Sequence, residues 1–264
     1  MNPLAPPRWL RWLVAVVVGG FFAVPLLATA LFTLRDGAGF SMANWTGLFA
    51  PENAAMLRPV WTGVVNSLTA AALTVALVVF VLTPTMVLVA LRFPRLRRAF
   101  EFVALLPISI PAIVLVVGLA PVYLQIGRTV GTGSWTLAFA YGILVLPFAY
   151  RALQAAIDGI DLTTLSEAAR TLGAGWGAVL LRVIAPNLRS GMLSASLITV
   201  AVVLGEYTIA ALLNRQVLQT ALVVVNRIDA FAAAIFTLLS LAFAFGLLVL
   251  IGRAGRRRTE GSTR

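Results

Sequence analysis

The chain has 264 residues, 61% hydrophobic and 11% charged, with a formal net charge of +11. A soluble domain averages about 45–50% apolar and about 25% charged residues, so this chain has too little polar surface to face water and is expected to cross a bilayer repeatedly. Cysteine and histidine are absent and all 20 basic residues are arginine, which excludes disulfides, thiolate nucleophiles, imidazole triads, HExxH zinc sites, Schiff-base lysines and a Walker A phosphate loop.

A spanning helix needs about 20 mostly apolar residues. Taken in chain order, six stretches meet this: Leu13 to Phe32, Val64 to Leu91, Phe100 to Leu124, Trp135 to Leu153, Gly191 to Leu213 and Phe231 to Ile251. The first follows Arg8 and Arg11, and Ala28-Thr29-Ala30 resembles a signal-peptidase site. A cleaved signal has an apolar core of only about 7–15 residues, so this longer run is read as a retained span. Pro107, Pro111 and Pro121 fall in the third stretch, Pro84 in the second and Pro147 in the fourth. They predict kinks that free carbonyls. Trp9, Trp12, Trp45, Trp61 and Trp135 lie near span ends and read as interface anchors.

The arginines divide unequally between the two sets of connections. Arg8, Arg11, Arg92, Arg95, Arg97, Arg98, Arg151, Arg170, Arg182, Arg189, Arg253, Arg256, Arg257, Arg258 and Arg264 lie on one side. Only Arg35, Arg58, Arg128, Arg215 and Arg227 lie on the other. The positive-inside rule then places both termini in the cytoplasm. It also accounts for the net charge without nucleic acid, because the cations sit at span ends. The expected organisation is a cytoplasmic N-terminus (1–12), a six-span domain (13–252) with a cytoplasmic loop at 154–190, and a basic tail (253–264). The external connections are 33–63, 125–134 and 214–230. Asn44 to Phe49 in the first reads as an interfacial turn, and Asp36, Glu52 and Asp229 read as solvated external charges.

The loop at 154–190 has a character of its own. Asp161 or Thr163 is suited to N-cap a short helix, with good helix formers from Ser166 to Leu172. Gly173 supplies a C-cap. Trp176 to Ile184 predicts a second helix that Pro186 stops. Ala168, Ala169 and Gly173 offer a small-residue face that fits a groove on another protein, and Glu167 at the start of the helix complements its dipole. The pattern predicts a docking element for a cytosolic partner.

These residues resemble the EAA motif of binding-protein-dependent ABC importer permeases, E-A-A-x3-G-x9-I-x-L-P. Glu167, Ala168, Ala169, Gly173 and Pro186 match in register, with Val183 for the isoleucine and Ala185 for the leucine. The resemblance extends over nearly the whole chain. It implies the all-α type I importer (MetI-like) fold at the plasma (inner) membrane, with the loop as a coupling helix on an ATP-binding subunit. It assigns coupling contacts to Glu167, Ala168, Ala169, Leu172, Gly173 and Pro186. It further implies two ATPase subunits that bind ATP and Mg, a second permease (a paralogue in preference to an identical copy), and an extracytoplasmic solute-binding protein. No cofactor and no catalytic residue are expected in this chain.

Glu206 in Gly205-Glu206-Tyr207 falls inside the fifth stretch, where a charge is costly and must face protein or a water cavity. Two readings stay open: a pathway or gate group, or a structural carboxylate bonded to its neighbours. Ala201, Gly205 and Tyr207 share the candidate gate. Ser194, Ile198, Ala201, Gly205, Thr208 and Leu212 form one stripe, with Ala201 and Gly205 as a small-xxx-small pair suited to a facing helix. This segment is most similar to spermidine/putrescine permeases, which implies a polyamine cargo; ferric-iron, thiamine, phosphonate, sulfate and molybdate permeases are similar too. A secondary transporter or channel would predict inverted repeats or several buried charges, and an intramembrane enzyme would need paired carboxylates. Neither pattern is found.

Overall fold

The computed structural model describes residues 7–37, 39–48 and 50–260, with the side chains of residues 8, 52 and 254–260 outside that description. The expectations placed on Phe49, on the Glu52 and Arg8 side chains and on most of the tail therefore fall outside the described residues. In chain order the helices are α1 (Arg8–Thr33), α2 (Ala43–Leu48), α3 (Ala54–Leu77), α4 (Thr83–Arg92), α5 (Arg97–Leu105), α6 (Ala112–Thr129) and α7 (Leu137–Asp158). They continue as α8 (Leu162–Thr171), α9 (Trp176–Ala178), α10 (Ala185–Asn187), α11 (Arg189–Gly205), α12 (Thr208–Leu212), α13 (Leu218–Ile228) and α14 (Ala230–Glu260). One two-residue antiparallel pair, β1 (Arg35–Asp36) and β2 (Gly39–Phe40), is the only sheet among the described residues. The class is all-α, as the sequence predicts.

Among the described residues, five helical rods are long and apolar enough to cross a membrane: Trp9–Thr33, Ala54–Arg92, Ala112–Thr129, Ser134–Asp158 and Ala230–Arg253. A sixth exists only as a bent pair, Trp176–Asn187 with Arg189–Gly205, joined at 74°. Two of the expected spans are thus corrected. The third does not run from Phe100 to Leu124. Pro107 sits in a 3-10 turn (Leu106–Ser109), and Ile110 is extended (φ −105°, ψ 119°) as a residue before proline must be. Pro111 then caps α6, so these prolines break the helix where a kink was expected. The fifth does not run from Gly191 to Leu213, because α11 ends at Gly205.

The second span shows how proline is accommodated without a break. Pro84 cannot donate to a carbonyl one turn back. The rod widens into a π turn at Val78–Leu82 directly before it. Thr83 Oγ1 donates to the Val78 carbonyl (3.0 Å) and Thr85 Oγ1 to that of Val81 (2.6 Å). The Val78 carbonyl also receives the Thr83 N–H, so the hydroxyl is a second donor to it within the widened turn.

The chain divides into two compact units, Met1–Arg58 with Leu222–Phe243, and Pro59–Ala221 with Ala244–Arg264. In the first, Asn44 Nδ2 donates to the carbonyls of Thr33 (3.1 Å) and Arg35 (2.8 Å), and Trp45 Nε1 donates to Thr33 Oγ1 (3.0 Å). The Thr33 carbonyl, the last of α1, is satisfied this way. Phe32 stacks on Phe231 with centroids 4.8 Å apart. Asp36 accepts from Ser41 Oγ (3.0 Å). Asp229 is a helix cap: its Oδ1 accepts the N–H groups of Phe231 (2.8 Å) and Ala232 (3.1 Å) at the start of α14.

The second unit is built on α7, whose Leu137, Ala140, Tyr141, Val145, Ala149, Tyr150 and Leu153 are buried at three- and four-residue steps. Its principal partner is α11. Gly191 permits that approach, since a Cβ there would collide with the Cβ of Ala156. The segment after α12 is latched onto α3. Gln216 O accepts from Asn66 Nδ2 (2.8 Å) and Ser134 Oγ (3.1 Å), and Gln216 Nε2 donates to the Pro59 carbonyl (3.1 Å). The Leu218 N–H donates to Ser67 Oγ (2.9 Å). A Cβ at Gly63 would lie 2.9 Å from the Val217 backbone, so glycine is required for the latch to close.

Candidate functional site

The loop expected to dock a partner is a helical hairpin held from both ends. At its entry, Asp158 Oδ1 accepts from Arg97 (2.6 Å) and from Gln154 Nε2 (2.9 Å). Both ion-pair side chains are about half exposed (47% and 50%), so the pair is worth at most about 1 kcal/mol. Asp161 caps α8. Its Oδ1 accepts the Thr164 N–H (3.0 Å) and its Oδ2 the Thr164 hydroxyl (2.7 Å). These bonds stabilise the charged form, and the Asp161 carboxyl is held below the ordinary aspartate value.

Because Asp161 is the cap, α8 begins at Leu162, and Glu167 lies in mid-helix where it adds nothing to the N-terminal dipole. Leu162 and Ser166 are buried, and Ala169 is half-buried against the core, forming the inward face at i, i+4 and i+7. Glu167, Ala168, Leu172 and Gly173 are exposed, and Leu172 is 90% exposed. Ala169 therefore packs inward, while its neighbours present the outer face.

The helix stops in a Schellman turn. Gly173 has φ +85°, its N–H donates to the Arg170 carbonyl (3.0 Å), and the Ala174 N–H donates to that of Ala169 (3.0 Å). Only glycine takes this backbone angle without strain. The second half of the hairpin, Trp176–Asn187, contains a π turn at Val179–Ile184 and is anchored by the buried Val179, Ile184 and Leu188. Pro186 is exposed and does not stop the helix as the sequence predicts. It stands two residues after that π turn, as Pro84 stands two residues after its own, and the chain bends two residues later at Leu188.

Glu206 lies at the second place where the structure departs from a simple span. The residue is extended (φ −81°, ψ 124°) and only 8% exposed. Both carboxylate oxygens accept the Ile209 N–H, at 3.2 and 3.0 Å, so the side chain caps the short helix α12. Gln219 Nε2 donates to the Leu204 carbonyl (2.9 Å) freed by the break. The candidate gate residues thus separate. Glu206 turns into the protein, while Ala201, Gly205 and Tyr207 are exposed. The stripe of Ser194, Ile198, Ala201 and Gly205 is exposed along α11, but the break prevents Thr208 and Leu212 from continuing it as one helix face.

Some features had no clear signal in the sequence. The guanidinium groups of Arg170 and Arg92 lie 5.3 and 5.9 Å from the ring centroid of Trp176. They come from segments more than 70 residues apart, so no local pattern joins them. Gly191 and Gln219 were equally silent, although a glycine just past the bend and a glutamine inside an apolar run are each worth asking about.

The apolar rods, the broken helices and the capped hairpin between α7 and α11 are those of a multi-span membrane protein. The match is specific: residues 83–261 fit the family "Binding-protein-dependent transport system inner membrane component", and the chain belongs to that family. It is 27% identical to the probable ABC transporter permease protein y4fN of Sinorhizobium fredii, over 99% of this chain and 48% of that one. The chain therefore spans about half the length of that relative. It is 26% identical to the spermidine/putrescine transport system permease protein PotB of Haemophilus influenzae, over 74% of this chain and 73% of the relative. It is 29% identical to the molybdenum transport system permease protein ModB of Mycobacterium tuberculosis, over 78% and 76%.

Proposed function

We infer that the chain is a non-catalytic permease subunit of an ATP-driven importer at the inner membrane, forming half of a translocation pathway. The observation that carries this reading is the hairpin. Its helix is pinned by the Asp161 cap, ends at Gly173, and presents Glu167, Ala168 and the 90% exposed Leu172 outward. A side chain that apolar at such exposure is suited to a pocket on a partner. Docking of this hairpin on one of two ATP-binding subunits, which hold ATP and Mg, transmits their closure to α7 and α11. The arginine asymmetry supports a cytoplasmic loop and cytoplasmic termini. The exposed stripe on α11 is suited to a second permease, a paralogue in this reading, with a solute-binding protein delivering cargo on the outer face.

For cargo we propose a polyamine, on the similarity to PotB and the Gly205-Glu206-Tyr207 segment. A second reading, an oxyanion, has its own support. The Glu206 carboxylate already accepts the Ile209 N–H with both oxygens, leaving it poorly placed to bind a cation, and ModB is an equally similar relative.

Affinity purification of the full chain from mild detergent tests the class. Co-purification of an ATP-binding-cassette subunit, lost in Gly173→Asp, is the expected result. Recovery of the stable chain with no ATPase overturns it. Uptake of labelled spermidine against labelled molybdate in the assembled transporter then decides the cargo.

A further inference from the structure

We propose that the groove between α4 and the second half of the hairpin is a binding site for an anionic phospholipid. It would hold an acyl chain along its apolar walls and the headgroup phosphate on Arg92 and Arg170.

The groove has a volume of about 460 Å³, within the about 300–1,000 Å³ range of small-molecule sites. Pro84, Leu88 and Leu91 line one wall, and Trp176, Leu180 and Ile184 the other. Arg92 is the cation among its lining residues. The walls are thus built for hydrocarbon, and the charge stands at the end of α4 where the apolar rod gives out.

Charge complementarity selects the occupant. Arg92 and Arg170 both converge on the Trp176 ring, at 5.9 and 5.3 Å. Both guanidiniums thus stand beside one indole, and Arg170 Nη1 also lies 3.5 Å from the Ala174 carbonyl. Among the described residues neither forms an ion pair with a carboxylate; the two pairs present are Arg97 with Asp158 and Arg151 with Glu101. A phosphate beside the indole would neutralise the two cations and accept their N–H groups in the planar geometry that arginine favours. Tryptophan is at home in the headgroup layer, where its apolar ring and polar edge are both accommodated. A phosphate continuous with a hydrocarbon chain meets all of these demands at once. A lipid there would brace the hairpin against the rod that carries Pro84, and bilayer composition would then tune the hairpin.

The test uses the full chain in nanodiscs of equal phosphatidylglycerol and phosphatidylcholine, with retained lipid counted by native mass spectrometry after extraction into mild detergent. The expected result is at least tenfold enrichment of phosphatidylglycerol, reduced to near parity in Arg92→Gln/Arg170→Gln and only partly restored in Arg92→Lys/Arg170→Lys. Leu88→Trp, which fills the groove without changing charge, is expected to lose the enrichment, and Arg95→Gln to keep it. Equal retention of the two lipids by the unaltered chain, or undiminished enrichment in the double Gln variant, overturns the proposal. So does displacement by millimolar inorganic phosphate, which marks a headgroup-only anion site. So does absence of the lipid from transporter purified with its ATPase, which marks a protein-docking face.

Discussion

Both carboxylate oxygens of Glu206 accept the backbone N–H of Ile209, at 3.2 and 3.0 Å, so this acidic residue at the break after α11 is a helix cap. A capping bond of this kind stabilises a fold by about 0.5–2 kcal/mol. Glu206→Ala is expected to lower thermal stability in detergent by about that amount, whereas Glu206→Gln, which keeps an acceptor, is expected to lose less and to keep uptake within a few-fold. Abolished uptake in Glu206→Gln at unchanged melting temperature would make the residue a pathway group instead.

Gly173 has φ +85° with nothing within 4 Å of an added Cβ, so substitution there is limited by backbone strain and not by crowding. A residue with a Cβ in this region costs roughly 1–2 kcal/mol. Gly173→Ala is expected to loosen the hairpin tip by about that amount, and Gly173→Asn by less. Gly173→Asp is expected in addition to sever ATPase docking while the chain still inserts. Protease sensitivity of the 154–190 loop and ATPase co-purification read the two effects separately.

Gly191 faces Ala156, and a Cβ there would collide with the alanine methyl. Overpacking of this kind costs typically about 1–3 kcal/mol. Gly191→Val is expected to separate α11 from α7 and destabilise the chain accordingly, with partial rescue in Gly191→Ala/Ala156→Gly relative to Gly191→Ala alone. Additive losses in that pair, measured by thermal unfolding, would show that the contact is not the cause.

The Asp161 carboxyl is held below its ordinary value by the two bonds from Thr164. A group whose folded-state pKa is depressed contributes stability that is present above its unfolded value of about 3.9 and is lost as pH falls through the folded one. The start of α8 is therefore expected to stay ordered from neutral pH down to about pH 4 and to fray below it. A spin label at Ala168 reports this as increased mobility. Asp161→Asn, which caps without titrating, is expected to remove the transition.

Much of the candidate site was legible locally. The cap, expected at Asp161 or Thr163 and found at Asp161, and the Gly173 stop each depend on residues within a few positions of one another, and the EAA spacing lies within one loop. The direction of each side chain was not legible. Ala168 and Ala169 are the same residue type in adjacent positions, yet one is exposed and the other packs against the core, because the helix begins at Leu162 and sets the phase. The same shift moved Glu167 from the helix start to its middle.

By itself the sequence determined that this protein lives in a bilayer and is all-α. Long apolar runs have to satisfy their own backbone groups where no water is available, and helices are the means open to them. It also determined the order of the rods and the place of the hairpin between the fourth and fifth apolar stretches. The tertiary structure decided where those rods break. Composition is indifferent to whether Pro84 widens a helix into a π turn while Pro107 and Pro111 end one, or whether Glu206 faces a pathway or caps α12. Those outcomes depend on which neighbouring groups can take up the freed carbonyls and N–H groups. At the break after α11 they are the amide of Gln219 and the Glu206 carboxylate.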